Sequence, residues 1–203
     1  MTPDTLTSYL AASVYIDWQN KAITQQSAAL THKLDTPREK TEACFVFVRD
    51  QIEHSWDYQR NPTTCRASEV LKAGTGYCYA KSHLLAALLR AANIPAGLCY
   101  QRLTVSNNRA PFCLHGLNAV YLPPYGWYRL DARGNKPGIN AEFCPPIEKL
   151  AFPILTPGEA DLSEIWPEPL PLITQCLERQ HTWQAVADHL PDIPLIQTLR
   201  ISS

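Results

Sequence analysis

At 203 residues, with 45% hydrophobic and 18% charged side chains, the chain has the composition of one globular unit with a sizeable core, which excludes wholesale disorder. A formal net charge of −1 with dispersed Lys and Arg removes the electrostatic case for a nucleic-acid partner. No apolar run has the length a bilayer crossing needs, so no membrane partner is expected.

The opening stretch is acidic at Asp4 and lacks a basic region, an apolar run and a cleavage site, so a cytoplasmic location is expected. Seven cysteines at irregular spacing, with no C-x-x-C and no H-x-x-x-H, suit reduced thiols and call for neither metal nor cofactor.

In chain order, Leu6 to Gln19 and Lys21 to Thr31 carry apolar residues at helical spacing. A clearer helix follows Thr36, which can cap it with Pro37 in the first turn; Ala43, Phe47 and Ile52 fall on one face. A loop leads to a short helix near Ala67 to Lys72, and a longer helix begins near Cys78 and exits at Pro95. Strands are expected over Ala96–Val105, Phe112–Leu122 and Trp127–Ala132, with loops at Asn107–Pro111 and Arg133–Gly138. Residues 141–203 hold nine of the seventeen prolines and end in an amphipathic helix around Thr174 to Leu190. Residues 1–203 read as one domain, with a core over about 36–150 and residues 151–203 as an extension wrapped on it.

Cys78 stands between the turn Gly74-Thr75-Gly76 and a helix whose Leu84, Leu85, Leu88, Leu89 and Ala92 form an apolar stripe, so that helix should be buried on one side. A thiol in the first turn of a helix meets unpaired N–H groups and the positive end of the dipole, which favour a thiolate and can hold an oxyanion. The alternative is a small buried apolar residue, the commoner fate of a free cysteine. Cys113 shares a strand face with His115 and could act as a resolving thiol.

A thiolate nucleophile needs an imidazole and a group to orient it. His83 points away from Cys78 along the helix, and His32, His54, His181 and His189 lie in polar surroundings that read as surface. His115 lies in a strand, one hairpin before Asp131. A simple four-residue turn between Leu122 and Trp127 would give an odd register sum and set His115 and Asp131 on opposite faces. An even sum sets them on one face, so a bulge or irregular turn is expected near Pro123 to Gly126.

The blocks "GTGYCYAKSHLLAALLRAANIPAG", "LHGLNAVYL" and "GWYRLDARGNK" resemble the core of the transglutaminase-like superfamily. With "FVFVRDQIEHSWDYQ", "ASEVLKAGTG", "EKLAFP" and "HLPDIP", the resemblance to a bacterial subfamily covers roughly residues 5–195. It implies a papain-like α+β fold, with N-terminal helices packed on an antiparallel sheet and the nucleophile at a helix N-terminus. By position it implies Cys78 as nucleophile, His115 as base and acid, and Asp131 as the orienting residue. Many relatives carry a bulky residue after the histidine, where this chain has Gly116 and Leu117. Animal transglutaminases place a tryptophan upstream of the cysteine to stabilise the oxyanion; Trp56 and Tyr58 are the nearest candidates. Gly76, Tyr77 and Arg133 join them as candidate substrate or oxyanion contacts. The calcium loops of those enzymes have no counterpart, so calcium dependence is not implied.

The expected activity is acyl chemistry on an amide or ester carbonyl through a Cys78 acyl-enzyme, with a peptide or protein as substrate. Water as acceptor makes a peptidase or amidase, to which small bacterial relatives incline the reading; an amine makes an acyltransferase. Arg129 and Arg133 flank Asp131 and could receive a substrate carboxylate, although solvated arginines are commoner. A non-catalytic peptide-binding module and a redox pair of Cys78 with Cys113 are the alternatives of other classes. Oligomeric state leaves no mark in the sequence.

Overall fold

The computed structural model describes residues 6–106 and 109–194. A single 3₁₀ turn, Thr7–Tyr9, stands where a helix to Gln19 is expected. Ser and β-branched residues crowd this stretch, and side chains take over its hydrogen bonding. Ser13 Oγ accepts from Ile16 N at 3.1 Å, and the Trp18 indole donates to the Leu10 carbonyl at 3.0 Å.

Helix α1 (Lys21–Thr31) is capped by Asn20, whose Oδ1 accepts from Ala22 N. Helix α2 (Pro37–Gln51) starts at Thr36 with Pro37 in its first turn, and Thr36 and Glu39 complete a reciprocal capping box. Its buried face is Thr41, Cys44, Phe45 and Val48; Ala43 and Phe47, expected on that face, flank it half-buried. Strand β1 (Glu53–His54), helix α3 (Ala67–Ala73) and strand β2 (Thr75–Gly76) lead into helix α4 (Cys78–Ala91).

Every residue of α4 from Cys78 to Arg90 is buried, not one stripe alone. Helices α1, α2 and α3 pack around it and the sheet closes the remaining side, which is the setting that suits a helix apolar nearly all round.

The sheet is antiparallel, in the order β5 (Gly126–Leu130), β4 (Arg109–Leu122), β3 (Ala96–Ser106) and β8 (Ala160–Asp161). Residues 109–111, expected in a loop, belong to β4; residues 107 and 108 lie outside the described residues. Strands β6 (Glu142–Cys144) and β7 (Ile147–Lys149) form a separate hairpin. The expected C-terminal helix is two helices, α5 (Pro171–Arg179) and α6 (Trp183–Ala187). The break falls where Thr182 caps α6 and Asn61 Oδ1 holds Trp183 N at 2.8 Å. Beyond residue 150, β8 adds an edge to the sheet, and Ile173, Leu177 and Val186 enter the main core. The molecule is an α+β fold with helices on an antiparallel sheet.

Candidate active site

Cys78 is the first residue of α4, and the preceding Tyr77 has extended backbone and provides no side-chain cap. The parallel pair β1–β2 sets His54 beside Gly76, directly ahead of that helix start. Gly76 is packed closely: a Cβ there would lie 3.2 Å from Ala80 Cβ and from Thr64 Oγ1. Tyr77 is buried, with its hydroxyl donating to the Trp183 carbonyl.

Strand β5 stops at Leu130, opposite Asn118, so among the described residues no strand neighbours that edge of β4 below this point. The Gly116 N–H on this open edge donates to Cys78 Sγ at 3.5 Å. A side chain at 116 would be crowded, since its Cβ would lie 3.0 Å from Tyr79 Cα. The departure from a bulky residue at this position therefore has a steric cause: the start of α4 lies directly on β4.

The β4–β5 register pairs Leu122 with Gly126 and Asn118 with Leu130, an even sum. The turn holds three residues, and Gly126 adopts φ +78°, the left-handed geometry that closes such hairpins with the strand twist intact. His115 and Asp131 consequently share a face, and His115 Nε2 lies 2.7 Å from Asp131 Oδ2. Backbone N–H groups of Arg133 and Ala151 also donate to the carboxylate, each at 3.1 Å. With Nε2 on Asp131, Nδ1 is the ring nitrogen left for the thiol.

Both members of this pair are shielded from water, at 4% exposure for His115 and 0% for Asp131. Burial alone would disfavour the imidazolium, but the Asp131 charge, the Cys78 thiol and hydrogen bonds to both overcome it and raise the His115 pKa to about 10. Burial likewise opposes the Asp131 carboxylate, and His115 with the two N–H donors reverses that and lowers its pKa. The Phe152 ring stands edge-on to His115, with centroids 5.0 Å apart.

A cleft of about 500 Å³ opens over Cys78 and His115. Trp56 lines it and is 38% exposed, whereas Tyr58 is 60% exposed and does not line it. Cys113 lines it as well. Arg133 faces the cleft, but both its terminal nitrogens are taken by Asp57, at 2.6 and 3.1 Å, so a free receptor for a substrate carboxylate is not what it offers. Arg129 is committed to Glu148 and Asp161.

Two buried groups near the thiol were missed in the sequence. His54, read as surface, is buried at the cleft with Nδ1 3.6 Å from Asp57 Oδ2; burial and the nearby Arg133 hold its pKa well below the usual range. Lys81, one turn along α4 from Cys78, is buried and donates to the Ile52 and Arg49 carbonyls at the end of α2. Burial, then the Arg133 charge, pushes its pKa down to about 7.

The model of the transglutaminase-like superfamily matches residues 24–132, more than half of the 203-residue chain. A protein from Cytophaga hutchinsonii, named as a candidate cysteine protease, superposes with a TM-score of 0.54 at 20% identity over 66% of this chain and 43% of its own. The periplasmic domain of TgpA from Pseudomonas aeruginosa gives 0.50 at 18% identity, over 65% of this chain and 48% of its own. At such identities the likeness is one of fold, and the chain spans less than half the length of either structure. No curated protein matches it. On the match across residues 24–132, with the Cys78 helix start, the His115 strand and Asp131 arranged as described, the chain belongs to the transglutaminase-like superfamily.

Proposed function

We propose that the protein is a thiol acyl enzyme that hydrolyses an amide bond, with Cys78 as nucleophile, His115 as acid and base, and Asp131 as the residue that orients the imidazole. The observation that carries this reading is a buried imidazole held at 2.7 Å by a buried carboxylate and protonated up to a pKa of about 10, with the thiol as its other partner. An imidazolium so stabilised favours a thiolate beside it, and the Gly116 N–H at 3.5 Å adds a donor to the sulfur.

In the proposed cycle the Cys78 sulfur attacks the carbonyl carbon, and the unpaired N–H groups of the first turn of α4 receive the oxyanion. The C–N bond then breaks as His115 gives its proton to the leaving nitrogen, leaving an acyl-enzyme and a neutral imidazole. Water adds to the thioester and passes a proton to His115; the C–S bond breaks, and the carboxylic product departs from a restored thiolate and imidazolium.

The lining of the cleft supports a substrate class as well. Leu103, Val105, Leu155 and Leu190 form an apolar wall. The acidic groups beside it are occupied: Glu159 accepts from Thr104, Leu155 and Thr156, and Asp57 accepts from Arg133 and Lys136. A peptide carrying an uncharged, apolar side chain next to the scissile carbonyl fits this lining.

The test is the rate of Cys78 alkylation by iodoacetamide against pH in the parent and in His115→Ala. The parent should label faster than a free thiol below pH 7, and the variant should lose most of that advantage. Labelling at the rate of a free thiol in the parent would leave the cleft as a binding site without turnover. Digestion of a peptide library, beside an amine-incorporation assay, then identifies water or an amine as the acceptor.

A further inference from the structure

Asp57 follows β1 and lies 74 positions before Asp131 in the sequence, yet its carboxylate is the hub of one flank of the cleft. It accepts Arg133 Nη1 on Oδ2 at 2.6 Å, Arg133 Nη2 on Oδ1 at 3.1 Å and Lys136 Nζ on Oδ1 at 2.5 Å. The Asp57 and Arg133 side chains are only 13% and 9% exposed, so this two-pronged pair is weakly screened and geometrically restrictive.

Arg133 reaches the imidazole by two routes. Its backbone N–H donates to Asp131 Oδ1 at 3.1 Å, while Oδ2 of the same carboxylate holds His115 Nε2. Its guanidinium carbon lies 5.6 Å from the centroid of Phe152, the ring that stands at 88° to His115. The carboxylate that aims the imidazole and the ring that walls it are thus both in contact with one arginine, and Asp57 decides where that arginine sits.

We propose that Asp57 is a positioning residue for His115, acting through Arg133 to fix both the Asp131 carboxylate and the Phe152 ring. The proposal rests on the thiol–imidazole reading above. It gives Asp57 no contact with the reacting atoms. It also accounts for Arg133 without a free substrate carboxylate: the guanidinium is spent on the geometry of the site.

The decisive variant is Arg133→Lys, which keeps the charge and loses the fork. If position matters, the acid limb of the alkylation profile moves up by about one pH unit toward that of an ordinary thiol, and the labelling rate at pH 6 falls about tenfold. A purely electrostatic role would leave the limb in place. Asp57→Asn should shift it the same way. Arg129→Lys, which loosens a comparable fork on Glu148 and Asp161 away from the cleft, should keep the parent profile. Either single substitution leaves a buried charge imperfectly paired and could unfold the chain. The double variant Asp57→Asn/Arg133→Gln removes both charges and should still show the shifted limb.

A parent that labels fast beside an Arg133→Lys or double variant with an unchanged limb overturns the positioning role alone. A parent that labels no faster than free cysteine removes the thiol reading and this proposal with it.

Discussion

At its C-terminal end α4 buries Arg90, and at its N-terminal end it buries Cys78, Lys81 and the partners that converge on the thiol. The arginine is finished: its nitrogens donate to the carbonyls of Ala96, Ala11 and Pro167 at 2.6–3.1 Å. It ties three segments to one helix end. The thiol is not finished in that sense. Its contacts are the Gly116 N–H and an imidazole, and one side of it opens to the cleft. The same contrast separates two buried histidines. His83, with Nδ1 on the Cys65 carbonyl at 2.8 Å, has its pKa pushed by burial down to about 4, whereas His115, with a carboxylate, rises to about 10. Burial is common to both; the partner decides whether the buried group is kept neutral or kept charged.

The largest effect expected from this contrast lies at the N-terminal end. Asp131→Asn removes the charge that stabilises the imidazolium and keeps an acceptor for only one of the Arg133 and Ala151 N–H groups, which bond to different oxygens. Peptide turnover, or labelling at pH 6, should fall by about 100- to 10,000-fold, while the one N–H left without an acceptor lowers the thermal midpoint by only a few degrees. Retention of the parent rate would mean that the carboxylate serves packing and not proton affinity.

The opposite outcome is expected at the other end. Arg90→Met deprives the Ala96, Ala11 and Pro167 carbonyls of their donor, at a cost of about 2–4 kcal/mol in urea unfolding. The alkylation profile should not change. A shift in that profile would show that the two ends of α4 are coupled through the helix.

How much of this could be read beforehand follows the range of the interactions. Cys78 announced itself locally, through two glycines before it and an apolar run after it. His115 and Asp131 were reachable because strand alternation constrains parity, and the three-residue turn closing at Gly126 satisfies the even register. His54 and Asp57 were invisible for the converse reason. The polar residues of "EHSWDY" show no local sign of burial; His54 is buried and Asp57 half-buried because β1 pairs with β2 and Arg133 arrives from the segment after β5. Attention fell on Trp56 and Tyr58 in the same segment, but of these only Trp56 lines the cleft. The Ala151 N–H that holds Asp131 is a main-chain group and leaves no trace in residue type. Lys81 did leave one: a lysine in a helix apolar on nearly all sides must be buried and must find acceptors, and treating that helix as one-sided concealed it.

Lys81 supplies the smallest and most discriminating effect. It is a cation at the cleft end of α4, and unlike Arg90 its burial is only partly repaid, with Nζ on carbonyls at the end of α2 and the Arg133 charge nearby. The folded chain releases its proton near pH 7, while the unfolded chain holds it to about 10.5. Between those values the unfolded state binds the extra proton, so this group's contribution to stability rises with pH, by at most about 1.4 kcal/mol per pH unit. Lys81→Met deletes that slope. The difference in unfolding free energy, parent minus variant, should therefore grow in favour of the parent from pH 7 to pH 9 in urea titrations. A constant difference would mean that Lys81 keeps its proton when buried. Its carbonyl contacts at the end of α2 would then satisfy it as fully as those of Arg90, and the contrast between the two ends of the helix would narrow to the thiol and its imidazole.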